Sequence, residues 1–184
     1  MSWFLFWVTA YVVLVLDVTG PSLWSIGQIT PHCVLILAVF IGLMASPATV
    51  VWAFLFLGVL VDLNAGLADG IDLIGPSILA YLTGAYVVLQ MRAMVFRESL
   101  AALAVMVFAV GTFVELVTVA VLFIRSIPWI PGESIPNWNA SEQLVRSFFE
   151  LIYSSIAALP IGFVLLRTVP AWGFQTNLRA ERRR

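Results

Sequence analysis

Six apolar stretches account for most of this chain, and they leave it few ways to fold. A helix that crosses a bilayer needs about 20 mostly apolar residues. Stretches of that kind, or near it, run over roughly 3–18, 32–45, 47–63, 73–91, 99–124 and 144–169. Across the 184 residues, 62% are hydrophobic and 10% charged. Soluble domains carry about 25% charged residues. The composition predicts an all-α polytopic membrane protein. Residues 1–169 form one six-helix transmembrane domain, and 170–184 form a basic tail. A net charge of −1, with no lysine, gives no electrostatic case for nucleic acid. The chain begins without a cationic region or a small-residue cleavage site. The first stretch is therefore expected to be a retained helix rather than a signal peptide.

Punctuation between the stretches sets the helix order. The second and third are short and separated only by Ala45-Ser46-Pro47-Ala48. Ser46 suits an N-cap and Pro47 a first helical position, which predicts a tight helical hairpin. One long kinked helix is the alternative. Pro31 is expected to open the second helix, and Gly75-Pro76 the regular part of the fourth. Arg92, Arg97, Arg167, Arg179, Arg182, Arg183 and Arg184 fall on one side of a six-helix arrangement. Only Arg125 and Arg146 fall on the other. The positive-inside rule then predicts that both termini are cytoplasmic. Loops 19–31, 64–72 and 125–143 face outward. The last is rich in proline, which argues against a regular helix there. Its Trp129 and Trp138 suit a headgroup region. An Asp-x-x-Gly-Pro-Ser pattern occurs at 17–22 and again at 72–77. The first copy ends a helix and the second begins one, so it reads as shared turn chemistry rather than a repeat.

Few residues offer chemistry. His32 sits beside Cys33 at a stretch edge, and neither has the company that a metal site or a nucleophile–base pair requires. His32 is read as capping, packing or headgroup contact, and Cys33 as a small hydrophobe. The chain is expected not to be an enzyme and to carry no cofactor or metal. The acids within apolar stretches constrain more. A charge at bilayer depth costs at least about 2.5 kcal/mol, so Asp17, Asp62, Glu115 and Glu150 should face the interior and find partners. Thr112 and Thr118 flank Glu115 at three-residue spacing and are expected to give it hydrogen-bonding company. Arg146 and Glu150 have i,i+4 spacing and can pair. Two readings stay open for this acidic set. It lines an outward polar cavity or partner groove, or it joins helices by hydrogen bonds.

The most specific pattern is Gly58-x-x-x-Asp62-x-x-x-Gly66-x-x-x-Gly70, leading toward Tyr81-Leu82. Gly58, Asp62 and Gly66 share a face if the helix persists to Gly66. Small residues at this spacing allow close helix approach. Asp62 is positioned either to bond a neighbouring helix or to cap the fourth. Gly66 and Gly70 are expected to bracket a tight turn, where glycine permits positive φ.

This stretch resembles the MreD family of rod shape-determining membrane proteins. The proline-opened second segment, the arginine turn, the two long final helices and the basic end agree with it. The long Pro/Trp-rich loop departs from it, as do Asp69, Asp72 and Glu115. The resemblance implies a non-enzymatic scaffold of the bacterial cell-elongation complex, in the cytoplasmic membrane. Its implied partners are an MreC-like single-helix protein, an MreB-type filament and the RodA/transpeptidase wall-synthesis complex. It also implies a fold similar to the membrane substrate-binding subunits of vitamin importers. The alternative function is therefore small-molecule capture, with Asp62, Glu115 and Glu150 in the pocket.

Overall fold

The computed structural model describes residues 2–23, 29–69, 75–93, 99–126 and 140–173. They form six helices: α1 (Trp3–Leu23), α2 (Cys33–Met44), α3 (Pro47–Asp69), α4 (Pro76–Met91), α5 (Leu100–Ser126) and α6 (Ala140–Trp172). The helices alternate in direction. The ends of α1, α3 and α5 therefore share one end of the bundle with the starts of α2, α4 and α6. At the opposite end the Ser2 N–H donates to the Trp172 carbonyl at 2.8 Å, which brings the chain's first helix to the end of its last.

Helix α2 organises the rest. Its sequence CVLILAVFIGLM has no polar face, and Cys33 through Leu43 are all buried. A helix apolar all round has to be covered all round. Here α1, α3, α4, α5 and α6 each pack on it. Successive helices from α3 to α6 also pack on one another, forming a wall around the plug. Glycines let the wall close. A Cβ on Gly111 would meet Leu151 and Leu35, and one on Gly162 would meet Leu103.

The break between α2 and α3 falls where expected. Ala45 is extended (φ −89°, ψ 167°), and α3 opens at Pro47 with the Ser46 and Thr49 hydroxyls 2.7 Å apart. This rules out one continuous kinked helix. At the same end an Arg92 Nη1 donates to the Ala45 carbonyl at 3.1 Å, tying the end of α4 to the end of α2.

Helix lengths bear on the expected spans, and several boundaries need correction. Helix α2 has 12 residues, or about 18 Å of helix, well short of a hydrocarbon core of about 30 Å. Among the described residues, three stretches are long and apolar enough to cross a membrane: Pro47–Asn64, Leu100–Ile124 and Gln143–Trp172. Trp3–Thr19, Cys33–Met44 and Pro76–Met91 are apolar but shorter. Gly66 does not open a turn, because α3 continues through it to Asp69. Its neighbours Ala65, Leu67 and Ala68 are good helix formers and carry the backbone past it. Helix α1 likewise runs past Val18 to Leu23, and α6 begins at Ala140 and ends at Trp172, beyond residue 169. Gly70, Asp72, Arg97, Trp129, Trp138 and most of the basic tail lie outside the described residues.

The outside of the bundle is apolar. Phe4, Tyr11 and Val18 of α1, Phe113 and Phe123 of α5, and Phe149 and Phe163 of α6 are exposed. Trp3 and Trp7 of α1 face Trp52 and Phe56 of α3 across a shallow groove of about 430 Å³. The Trp7 and Phe56 rings lie 5.3 Å apart.

Candidate functional site

Two polar sites occupy the end of the bundle where α2, α4 and α6 begin. The smaller one centres on Asp62, which is buried at 3% exposure. Its Oδ2 accepts from the Gly75 N–H at 2.8 Å and the Ile78 N–H at 3.2 Å. Its Oδ1 accepts from the Ser77 N–H at 3.0 Å. These are amides that the first turn of α4 cannot satisfy internally. The N-cap residue, Gly75, has no side chain to offer and sits at φ 141°, where other residues are strained. The cap is therefore supplied by the preceding helix, and an acid suits the positive end of the α4 dipole. Gly58, one turn earlier on α3, makes the approach possible. A Cβ there would stand 2.9 Å from the Ile78 Cα and 3.1 Å from the Ser77 carbonyl oxygen, both backbone atoms.

Of the motif, the structure brings Gly58 and Asp62 together against the start of α4. Tyr81 lies one turn further into α4, buried against Phe54 at a ring distance of 6.3 Å. It is within electrostatic reach of Asp17, Glu115 and Asp62.

The larger site gathers around the start of α2. Because α2 is short, its N-terminus lies inside the bundle, and its first amides need partners there. The Cys33 N–H donates to Asp17 Oδ1 of α1 at 2.7 Å. The His32 N–H donates to Ser154 Oγ of α6 at 2.8 Å, and that hydroxyl donates to the Glu150 carbonyl at 2.7 Å. The His32 imidazole points at two carboxylates. Its Nε2 is 3.4 Å from Glu150 Oε2 and 3.9 Å from Glu115 Oε1. That nitrogen is shut off from solvent and makes no hydrogen bond.

The glutamates have other partners as well. Glu150 Oε1 accepts from Arg146 Nε at 2.9 Å, and Glu115 Oε2 accepts from Ser147 Oγ at 2.9 Å. Glu150 and Ser147 are buried, whereas Arg146 is half exposed. Each glutamate sits about 15 Å inside its helix from the shared end.

Three residues behave differently from the sequence reading. Thr112 and Thr118 give Glu115 no company. Their hydroxyls donate to the Phe108 and Val114 carbonyls of their own helix, at 2.8 and 3.0 Å. Back-bonding of this kind is the local default for threonine within a helix. The sequence reading of His32 is capping, packing or headgroup contact. The residue does occupy the α2 N-cap position, but its side chain makes no capping bond and turns to the glutamates instead. Nothing local to His32 in the sequence points to this. Three acids converge on this part of the bundle, and among the described residues His32 and Arg146 are the cation-forming side chains that meet them.

A common construction runs through the bundle. Asp17 on α1 serves α2, Asp62 on α3 serves α4, and Glu115 on α5 serves α6. In each of these three helix pairs, an acid in the second half of the first helix accepts from the second. Among the described residues, no cluster of three or more His, Cys, Asp or Glu has the arrangement to hold a metal ion.

The chain matches no protein-family model, no curated protein and no solved structure.

Proposed function

We propose that this protein is a non-enzymatic, multi-pass membrane scaffold of the MreD kind, with both termini on the cytoplasmic side. On this reading it binds an MreC-like single-helix protein. It thereby helps to connect an MreB-type filament with the RodA/transpeptidase machinery of peptidoglycan synthesis. One observation carries the reading. Asp17, Asp62 and Glu115 each accept a hydrogen bond from another helix or its cap, and Glu150 is paired with Arg146 of its own helix. Their polarity is used within the protein, and the surface left for partners is apolar helix face. Partner helices bind such faces in a bilayer through van der Waals packing and small-residue contacts. The Gly58–Asp62 pairing that carries the family resemblance supports the same view, since it sets the α3–α4 hairpin.

The test is co-purification in mild detergent of the tagged chain with the MreC-like protein of its own genome, with an unrelated single-helix protein as control. Selective recovery at a fixed ratio is expected. Recovery no better than the control, from folded protein, refutes the reading.

A second reading has its own observation. The buried α2 start resembles the interrupted helices that transporters use, with a helix N-terminus in the interior facing charged groups. This favours capture of a vitamin-sized molecule for an importer. It predicts a ligand retained through purification and found by mass spectrometry. A ligand-free protein that no member of a vitamin panel stabilises thermally removes it.

A further inference from the structure

We propose that His32 is a proton-operated latch holding the buried start of α2 against α5 and α6. The inference stands independently of either functional reading, because it rests only on how the side chains are placed. The imidazole Nε2 lies between Glu150 Oε2 and Glu115 Oε1, at 3.4 and 3.9 Å, shielded from solvent and without a hydrogen bond. The same residue's backbone N–H is fixed to Ser154 of α6, and the next N–H is fixed to Asp17 of α1. One residue therefore stands where four helices meet.

The charged and titratable groups around it come from every helix that bears on the junction. Helix α1 supplies Asp17, α5 supplies Glu115, and α6 supplies Glu150 and Arg146. Helix α4 supplies Tyr81, within electrostatic reach of Asp17 and Glu115. On α2 itself Cys33 follows directly. The acid of α3, Asp62, is fully engaged with the start of α4.

With the imidazole protonated, the carboxylates of Asp17, Glu115 and Glu150 face two cations. With it neutral, the cation they face among the described residues is Arg146, and that guanidinium is half exposed and screened by solvent. Like charges held close at low dielectric repel strongly. The ring's Nε2 makes no hydrogen bond, so the charge it carries decides whether α2's first turn is clamped or released. Loss of the proton loosens the junction, and its return closes it.

The chain carries its own probes. It has one histidine and one cysteine, and they are adjacent. Cys33 is buried at 3% exposure when the junction is closed. The experiment measures maleimide labelling of Cys33 in the full chain in lipid nanodiscs, from about pH 6 to about pH 10, a range spanning histidine deprotonation even when the site shifts it. Each rate is divided by that of the denatured protein at the same pH, which removes the pH dependence of the reagent and of the thiol once the junction has exposed it.

The normalised rate is expected to rise roughly tenfold across the range, the change that one unit of differential proton affinity produces. His32→Gln is expected to label at the fast rate throughout. A flat normalised rate in the unmodified chain overturns the proposal, as does a His32→Gln profile matching it. Should that variant fail to fold, the unmodified chain still decides. Its isotope-labelled imidazole gives a single NMR signal, expected to titrate together with the labelling transition. A separation of more than about one pH unit between the two assigns the opening to another group.

Discussion

The starts of α2 and α4 pose the same problem and receive different solutions. Both helices begin at the same end of the bundle, and neither N-cap residue makes a side-chain capping bond. At α4 one aspartate settles the matter. Asp62 takes three backbone N–H groups, and Gly58 lets the two backbones close around it. At α2 the work is divided. Asp17 takes one N–H, Ser154 takes another, and the side chain between them is left facing two glutamates. Concentrating the bonds on one residue gives a joint with one geometry. Sharing them among four helices gives a joint whose strength depends on the charge of its members. Buried polar networks rigidify when every member is satisfied and become weak points when one is not.

Substitutions can break or sharpen this contrast. The largest effect is expected at Asp62. Asp62→Leu leaves three amides without an acceptor and should lower stability by about 3 kcal/mol or more. Asp62→Asn keeps one acceptor oxygen and should cost about half as much. Thermal unfolding in detergent, read beside membrane accumulation, ranks the two. Equal behaviour would make the α4 cap dispensable.

Gly58→Ala comes next. Its new methyl meets backbone rather than a movable side chain, so a loss of about 2 kcal/mol is expected. An alanine variant with an unchanged melting temperature would show that the helices can separate without penalty.

At the other joint, Asp17→Ala removes one charged acceptor among several partners. A loss of about 1 kcal/mol is expected, within the usual range for a helix cap. A loss as large as that of Asp62→Leu would mean the two joints are built alike after all.

Arg146→Gln should change stability least, by less than about 1 kcal/mol, because its pair with Glu150 opens to solvent on the arginine side. A much larger drop would place Arg146 among the members the cluster cannot lose.

The helices themselves were readable because the information is local. An apolar run, a Pro47 or a Gly75-Pro76 marks a boundary from within its own neighbourhood, and those boundaries agree with the structure. Errors came where the local cue was ambiguous. Gly66 permits a turn but does not demand one, and the alanines and leucine around it favour helix. Thr112 and Thr118 sit at the right spacing to help Glu115, yet a threonine within a helix has a nearer acceptor in its own backbone.

Contacts between distant residues were not readable. Glu115 meets Ser147, and His32 meets Ser154 and Glu150, only because α2 is buried and short. The sequence displayed the shortness of α2. It did not display that five helices would enclose it. The apparent repeat is instructive for the same reason. The sequence pairs Asp17 with Asp72 by their shared Gly-Pro-Ser, whereas the structure makes Asp17 the counterpart of Asp62.

The helix-pair construction also says something about biosynthesis. Asp17, Asp62 and Glu115 each accept from groups that come later in the chain: Cys33, Gly75 with Ser77 and Ile78, and Ser147. As the chain leaves the ribosome, each acid emerges before its donors exist. The first helix of each pair is then incomplete on its own and is completed by the second. A nascent chain that stops after an odd-numbered helix lacks the donor from which that helix's acid accepts in the finished protein.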